Sequence, residues 1–306
     1  MKIGAFEVVE PVPELIDTCA ISMLRPWIDV GRVGTLALTR LEQHLGATEL
    51  GRLARPGTFL DFTRERPRTR IVDGQRRLST PNSIVRFAKA EAGDRDYLFL
   101  HLREPHAMAE DYTESIVELL NHFGVTEHCR IGGMFDTQPH TRPLVVTGTL
   151  NDAHSERTKG LVSSRTGVYQ GPTSIVNLVT ESLEAAGVVN SSLMVHIPQY
   201  VQLDEDHTGA ARLIEVLCAM YGFPVALADT ARGDLQYEEI GQAAKNNPDV
   251  SRFITQLEAE YDRVRSGSEA DESAQLMPLS PDVEEFLREM GQRLDGGGDD
   301  DDRPSE

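Results

Sequence analysis

The sequence predicts an α/β protein in three layers, with a mostly parallel or mixed sheet and a carboxyl-terminal helical extension. Amphipathic helical stripes alternate with short, continuously apolar runs over the first 235 residues. Such continuous runs are typical of strands that are covered on both faces. Beyond about residue 235 the pattern is helical only, so the predicted α/β core domain is residues 1–235.

Four helices of the core are indicated by apolar residues at helical spacing and by a glycine at the carboxyl end of each. In chain order they begin at Val33, Asp111, Gly171 and Thr208 and end before Gly46, Gly124, Gly187 and Gly222. The clearest strands between them are residues 97–102, 144–149 and 193–197. This alternation is the pattern expected of a sheet with helices on both faces.

Four further segments are predicted after the core. They are a helical hairpin at 236–265, a flexible linker at 266–280, an amphipathic helix at 281–295 and a disordered acidic tail at 296–306. The two helices of the hairpin are joined at Asn247 and Pro248. The helix at 281–295 is predicted because Ser280 is a good N-cap and Pro281 suits the first helical position.

Composition and charge exclude several classes of protein. Acidic residues exceed basic ones by 19, which disfavours nucleic acid or an anionic membrane as a partner. More than half of that excess lies in residues 267–306, which hold 13 Asp or Glu against 3 Arg. The three cysteines, Cys19, Cys129 and Cys218, form no C-x-x-C pair and suit a reducing compartment. No signal peptide or membrane span is expected, and the sequence predicts a soluble, cytoplasmic protein.

Common catalytic signatures are missing from the sequence. There is no phosphate-binding loop of the type G-x-x-x-x-G-K-[ST], no G-x-G-x-x-G, no G-x-S-x-G and no H-E-x-x-H. Nucleotide hydrolases, dinucleotide-binding dehydrogenases, α/β-hydrolases and zinc proteases are therefore disfavoured. We expect no metal site and no cofactor, and the catalytic residues are left unassigned.

Polar residues and glycines stand at the predicted strand ends, where open α/β sheets place ligand crevices. Trp27, Asp29 and Gly31 precede the first helix, where a carboxylate and glycines either cap the helix or line a cleft. Glu104 and His106 follow the strand at 97–102. They are candidates for acid–base chemistry, and the alternative is an ordinary Glu-Pro turn.

The densest candidate segment contains Gly132, Gly133, His140 and Arg142. Two glycines permit close approach of the backbone to a ligand or to another strand. His140 and Arg142, two residues apart, point to one side of an extended chain and offer donors to an anion. The alternative is that both side chains brace loops at subunit contacts.

Three further candidates lie near later elements. Tyr169 and Gly171 lie at a predicted helix start whose free amides are suited to a carboxylate or phosphate. Tyr200 follows the last core strand, which also contains His196, a residue more typical of a hydrogen-bonded core histidine than of a ligand.

Taken in order, these segments resemble the proteasome assembly chaperone family, and most closely its prokaryotic, largely uncharacterised branch. The similar segments cover about residues 20–235 and are Trp27-Ile28-Asp29-Val30-Gly31, Glu104-Pro105, Gly132-Gly133, His140-Thr141-Arg142-Pro143, Tyr169-Gln170-Gly171-Pro172 and Pro198-Gln199-Tyr200. The resemblance implies a fold like that of nucleoside phosphorylases and related hydrolases, with assembly into rings, often trimers. It implies no known reaction. An ATP-grasp or carboxylate–amine ligase label is also attached to this family, but the chain has no glycine-rich nucleotide loop and only four lysines.

Two function classes follow from the sequence. The first is a non-catalytic assembly or scaffold protein that forms a homo-oligomer, with a trimer favoured, and offers a surface to a protein partner. The alternative is a protein or enzyme that binds an anionic or nucleotide-like small molecule through Gly132, Gly133, His140 and Arg142, with Glu104 as acid or base. A weaker third reading has the acidic tail bind a basic partner, although the tail is also explained by solubility alone. Archaeal relatives that dock on the proteasome end in a hydrophobic residue, a tyrosine and one more residue, whereas this sequence ends Arg-Pro-Ser-Glu, so proteasome docking by that route is not expected.

Overall fold

The computed structural model describes residues 1–90, 95–164 and 173–266. It confirms an α/β fold in which a large mixed sheet is covered by helices. The segments predicted at 281–295 and 296–306 lie outside the described residues, as does all but the first residue of the linker predicted at 266–280. Within the described residues no helix combines the length and apolarity that a bilayer crossing requires.

Twelve strands and seven α-helices form the described part of the chain. The strands are β1 Lys2–Ile3, β2 Phe6–Val8, β3 Cys19–Arg25, β4 Thr48–Leu53, β5 Arg68–Val72, β6 Gln75–Ser79, β7 Ile84–Ala88, β8 Tyr97–Arg103, β9 Glu127–Asp136, β10 Val146–Thr149, β11 Val162–Ser164 and β12 Val189–Pro198. The helices are α1 Val33–Leu45, α2 Ala109–His122, α3 Asp152–Arg157, α4 Ile175–Ala185, α5 His207–Tyr221, α6 Ala231–Lys245 and α7 Pro248–Arg265.

Ten of the strands form one sheet in the order β1-β2-β4-β7-β8-β3-β9-β12-β10-β11. Its centre, β8-β3-β9-β12, is parallel. The strands β1, β2, β4 and β7 extend it on one side by antiparallel pairing, and β10 pairs antiparallel with β12 on the other. The carboxyl ends of the four central strands therefore lie together, and we call this side of the sheet the carboxyl edge.

The core lies on both faces of the sheet because strand side chains alternate between the two faces. In β3, Ile21 and Met23 pack with α1, α5, α6 and α7, whereas Ala20 and Leu24 pack with α2 and α4. The helices α6 and α7 share the first of these clusters through Tyr237, Ile240, Val250, Ile254 and Leu257, all of them buried. The carboxyl-terminal helices are thus packed on the sheet domain, and α6 begins at Ala231, before the predicted boundary at residue 235.

The chain leaves the main sheet between β4 and β7 to form a separate β-hairpin from β5 and β6. We call residues 68–79 the arm. Every residue of both strands is exposed. Asp73 and Gly74 form its turn with φ angles of 52° and 71°, the backbone geometry that an Asp-Gly pair favours in a two-residue hairpin loop. This element was not predicted from the sequence.

Candidate functional site at the carboxyl edge

The Asp29 carboxylate binds the first turn of α1. Its Oδ1 accepts hydrogen bonds from the backbone N–H groups of Gly34 at 2.8 Å and Thr35 at 3.1 Å. Its Oδ2 accepts one from the Thr35 hydroxyl at 2.6 Å. Asp29 is buried, so these bonds satisfy helix donors that would otherwise lack partners. Of the two roles expected for Asp29, capping the helix or lining a cleft, the geometry agrees with capping.

Gly132 and Gly133 lie inside β9, whereas the sequence placed them after a strand. The Gly133 N–H donates to the Ile28 carbonyl oxygen at 2.8 Å. A Cβ atom at Gly132 would lie 2.4 Å from that same oxygen, and one at Gly133 would lie 2.4 Å from Cγ2 of Val33. Because they lack side chains, the two glycines allow the turn before α1 to pack closely against the sheet. The group that approaches them is therefore the chain's own backbone.

Gly31 connects this turn to the carboxyl-terminal helices. Its φ of 56° is in the left-handed region, and its carbonyl oxygen accepts from the Asp206 N–H at 2.8 Å. The Asp206 carboxylate caps α5 by accepting from the Gly209 N–H at 2.7 Å and binds α6 by accepting from the Tyr237 hydroxyl at 2.8 Å. Burial raises the pKa of Asp206. Asp206 and Tyr237 were not among the residues predicted from the sequence, although an Asp two residues before the predicted helix start at Thr208 is an N-cap signal.

Glu104 and His106 hold loops on the other face of the sheet. Oε1 of Glu104 accepts from the Ile175 N–H at 3.2 Å, at the first turn of α4. Its Oε2 is buried without a hydrogen-bond partner among the described residues, and burial raises the pKa of the carboxyl group. His106 is exposed, and its Nδ1 accepts from the Asp61 N–H at 3.1 Å.

His140 is buried against Tyr200 and the helix α6. The Tyr200 hydroxyl accepts from the His140 N–H at 2.7 Å and lies 2.8 Å from Nδ1, within hydrogen-bond distance of that nitrogen. Burial lowers the pKa of His140 to about 4, which leaves the ring neutral at pH 7. Nε2 faces α6, where a Cβ atom added at Gly241 would lie 3.3 Å away. The side chain is a core histidine beneath the extension.

Arg142 binds two carboxylates of α7. Its Nε and Nη2 donate to the two oxygens of Asp262 at 3.1 and 2.8 Å, and Nη1 donates to Glu258 at 3.1 Å. Thr141 also donates to Glu258, at 2.5 Å, and the Tyr261 hydroxyl donates to the Pro143 carbonyl at 2.8 Å. The residues after β9 thus form a platform on which α7 rests, and the anions next to Arg142 belong to the same chain.

The structure divides the candidate residues instead of gathering them. Glu104 contacts α4 on one face of the sheet, whereas His140 and Arg142 contact α6 and α7 on the other. Trp27 is 60 % exposed at the carboxyl edge. Tyr169 and Gly171 lie outside the described residues. Within the described part of the chain, no group of three or more His, Cys, Asp or Glu is placed to hold a metal ion.

A second polar row, absent from the sequence analysis, lies under α4. The Ser22 hydroxyl lies 2.8 Å from Nε2 of His128, and the Asn190 side-chain oxygen lies 2.9 Å from Nδ1. This order of groups is similar to that of a nucleophile, a base and an orienting amide. Ser22 and His128 are each only 3 % exposed, so a substrate has no access to the hydroxyl. Burial lowers the pKa of His128 to about 4, and the row serves as a neutral hydrogen-bonded network in the core.

Solved structures of several proteins are similar to this chain. A protein of unknown function from Corynebacterium glutamicum ATCC 13032 matches with a TM-score of 0.76 at 20% identity, covering 86% of this chain and 99% of that chain. The proteasome-assembly chaperone homologue of Mycobacterium tuberculosis matches with a TM-score of 0.67 at 22% identity, covering 77% and 99%. PbaB of Pyrococcus furiosus, an archaeal proteasome activator, matches with a TM-score of 0.62 at 18% identity, covering 79% and 97%. At these identities the matches establish a shared fold.

Comparison with curated proteins gives no significant match. The model of the PAC2 family matches residues 23–240, which is more than half of the chain and includes the segments that carry the resemblance to proteasome assembly chaperones. On this match, the chain belongs to the PAC2 family.

Proposed function

We propose that this chain is a non-catalytic assembly or scaffold protein that works as a homo-oligomer, with a trimer favoured, and serves a protein partner in proteasome-related assembly. Membership of the PAC2 family supports an assembly role. So do the descriptions of two similar structures as a proteasome-assembly chaperone homologue and an archaeal proteasome activator. The three cysteines, all free and buried, agree with a cytoplasmic location.

The observation that carries the non-catalytic part is that candidate reactive side chains bind their own chain. Asp29 caps α1, Glu104 binds the start of α4, and Arg142 binds α7. An enzyme needs its acid, base and anion-binding groups to converge on a substrate. Here they are divided between two faces of the sheet and hold helices in place, which supports a structural role for the carboxyl edge.

The arm supports the oligomeric part of the proposal. A two-stranded hairpin is at best marginally stable alone in water. The arm nevertheless leaves Ile71 69 % and Leu78 65 % exposed. Apolar side chains on an element that the described part of its own chain leaves uncovered are typical of a protein contact.

The test is the native mass of the full chain, measured by light scattering and by native mass spectrometry over a concentration series. We expect three subunits and no retained small molecule. A monomer at micromolar concentration would contradict the oligomeric scaffold.

A small-molecule binding role is the second candidate, favoured by one observation. Oε2 of Glu104 is buried without a hydrogen-bond partner among the described residues, beside the first turn of α4. The same mass spectra test it: a retained small molecule that is lost on Glu104→Gln, and kept on the exposed control Glu239→Gln, would favour this role over the scaffold.

A further inference from the structure

The arm has one face of unpaired positive charge. In its register Arg70 lies opposite Arg77 and Arg68 lies opposite Ser79. Because side chains alternate along a strand and directly paired residues share a face, Arg68, Arg70 and Arg77 lie together on one side. None of the three arginines has an ion-pair partner among the residues that the structure describes. This is a concentrated basic surface on a strongly acidic chain.

An acidic groove of complementary charge lies between α2 and α4. It has a volume of about 400 Å³ and is lined by Glu114, Val117, Glu118, Asn121 and Ser182. Glu110 precedes Glu114 by four residues, as Glu114 precedes Glu118, so the three carboxylates form one exposed stripe along α2. Within the described ranges these glutamates form no ion pair.

The two surfaces also match in spacing and in their apolar content. Strand residues two apart, such as Arg68 and Arg70, are separated by roughly 6.6 Å. Helix residues four apart, such as Glu114 and Glu118, are separated by about 6 Å. Val72 lies on the arginine face of the arm and is 46 % exposed, and Val117 lines the groove. Successive arginines can therefore meet successive glutamates while the two valines are covered.

We propose that the arginine face of the arm of one copy of this chain occupies the α2–α4 groove of a neighbouring copy. The arm and the groove are different surfaces of the same chain, and a contact of this head-to-tail kind closes into a ring when its rotation allows. The inference rests on the proposed homo-oligomer and names the two surfaces that join its subunits.

Charge reversal tests the pairing. Arg70→Glu with Arg77→Glu, and separately Glu114→Arg with Glu118→Arg, are each expected to raise the dissociation concentration of the oligomer about tenfold or more at low salt, because two or three ion pairs become repulsive. The four-residue combination restores opposite charges and is expected to recover most of the loss. Glu156→Arg with Glu239→Arg is the matched control for the glutamate reversal, since it makes the same charge change at exposed residues of α3 and α6 and is expected to have no effect.

The outcomes separate this inference from the proposed function. A wild-type chain that is monomeric contradicts both. A wild-type oligomer that survives both charge reversals overturns the arm and groove contact and leaves the oligomeric scaffold standing. Circular dichroism and thermal unfolding of each variant show that a loss of assembly is not a loss of fold.

A cross-link decides whether the arm reaches another copy. A chain with Arg70→Cys is mixed with a chain with Glu118→Cys and oxidised, and a linked two-chain product containing one of each is expected. The native cysteines are buried, so they give little background. The absence of a link between chains overturns the proposal. So does a link that forms only within a chain carrying both substitutions, since the arm would then lie on its own α2.

Discussion

The Tyr237 hydroxyl forms a buried hydrogen bond that joins α6 to the core. Removing this hydroxyl tests how much the bond contributes to the packing of α6. The hydroxyl donates to Oδ2 of Asp206 at 2.8 Å. Tyr237 is 8 % exposed and Asp206 is 1 % exposed. Burial raises the pKa of Tyr237 well above its usual range, so the hydroxyl keeps its proton at neutral pH. Tyr237→Phe keeps the ring and removes only this donor.

The expected cost follows from leaving a buried carboxylate oxygen without one of its donors. Such a loss costs about 1–3 kcal/mol. With a value of about 2 kcal/mol, and about 2–4 °C per kcal/mol for a protein of this size, Tm falls by roughly 4–8 °C. The denaturant midpoint falls in proportion while the slope is unchanged, because the surface exposed on unfolding is the same.

Tyr261→Phe is the matched control. Its hydroxyl donates to the Pro143 carbonyl at 2.8 Å, but the bond is exposed, and its loss should change the free energy of unfolding by no more than about 0.5 kcal/mol. Thermal unfolding and hydrogen exchange of α6 give the comparison. Equal effects of the two substitutions would refute the argument that burial sets the cost. Asp206→Asn in the Tyr237→Phe background should cost less than the sum of the two single changes, because the buried charge is then absent.

Three further outcomes are expected. Gly132→Ala forces a Cβ atom to within 2.4 Å of the Ile28 oxygen and should lower stability by about 1–3 kcal/mol, whereas Gly57→Ala meets only the Phe62 ring, at 3.3 Å, and should cost less in the same thermal scans. Because burial lowers the pKa of His128 to about 4, below about 6.5 in the unfolded chain, the unfolded state binds more protons between these values. Stability should therefore fall as pH drops from about 6.5 to 4. His128→Gln should make that slope shallower in unfolding curves without removing it, because burial also lowers the pKa values of His140 and His207 to about 4. An unchanged slope would contradict a neutral, buried His128 ring. Arg142→Ala should speed hydrogen exchange in α7. Arg252→Ala removes an exposed ion pair to Asp249 and should leave that exchange unchanged. Equal exchange rates in the two variants would contradict the role of Arg142 in holding α7 on the residues after β9.

Helices were predictable because their signals are local. The pattern at 33–45 matches α1, which ends at Gly46 with φ of 63°, and Gly222 ends α5 with φ of 78°. Glycine adopts this left-handed conformation without the steric cost that other residues incur. A helix stop of this kind can be identified without knowledge of what the helix packs against.

The limits of β9 were harder to predict because its glycines serve a distant segment. Glycine within a strand usually weakens it, so Gly132 and Gly133 suggested that the strand had ended. The strand continues to Asp136. Both glycines lie within it because a side chain at either position would clash with the segment that leads into α1. That turn precedes the glycines by about a hundred residues, so a local pattern contains no sign of it.

The arm escaped prediction for a different reason. Its strands have Arg68, Arg70 and Arg77 on one face and Ile71, Arg76 and Leu78 on the other, and the rest of the described chain covers neither face. Strand prediction from periodicity depends on one buried face. The Asp73-Gly74 pair was the available local signal.

In an acidic chain, the fold decides whether an arginine pairs with a carboxylate of its own chain or stays available to another molecule. Arg142 was predicted to offer donors to an anion; in the structure it binds Glu258 and Asp262 of its own chain, which are more than a hundred residues away in the sequence. With 49 acidic and 30 basic residues, an arginine near the core meets a carboxylate of its own chain at high effective concentration. Arg70 and Arg77 lie on the exposed arm, away from the core, and form no ion pair with the described residues; in the proposed contact the glutamates of a second copy of the chain would pair with them.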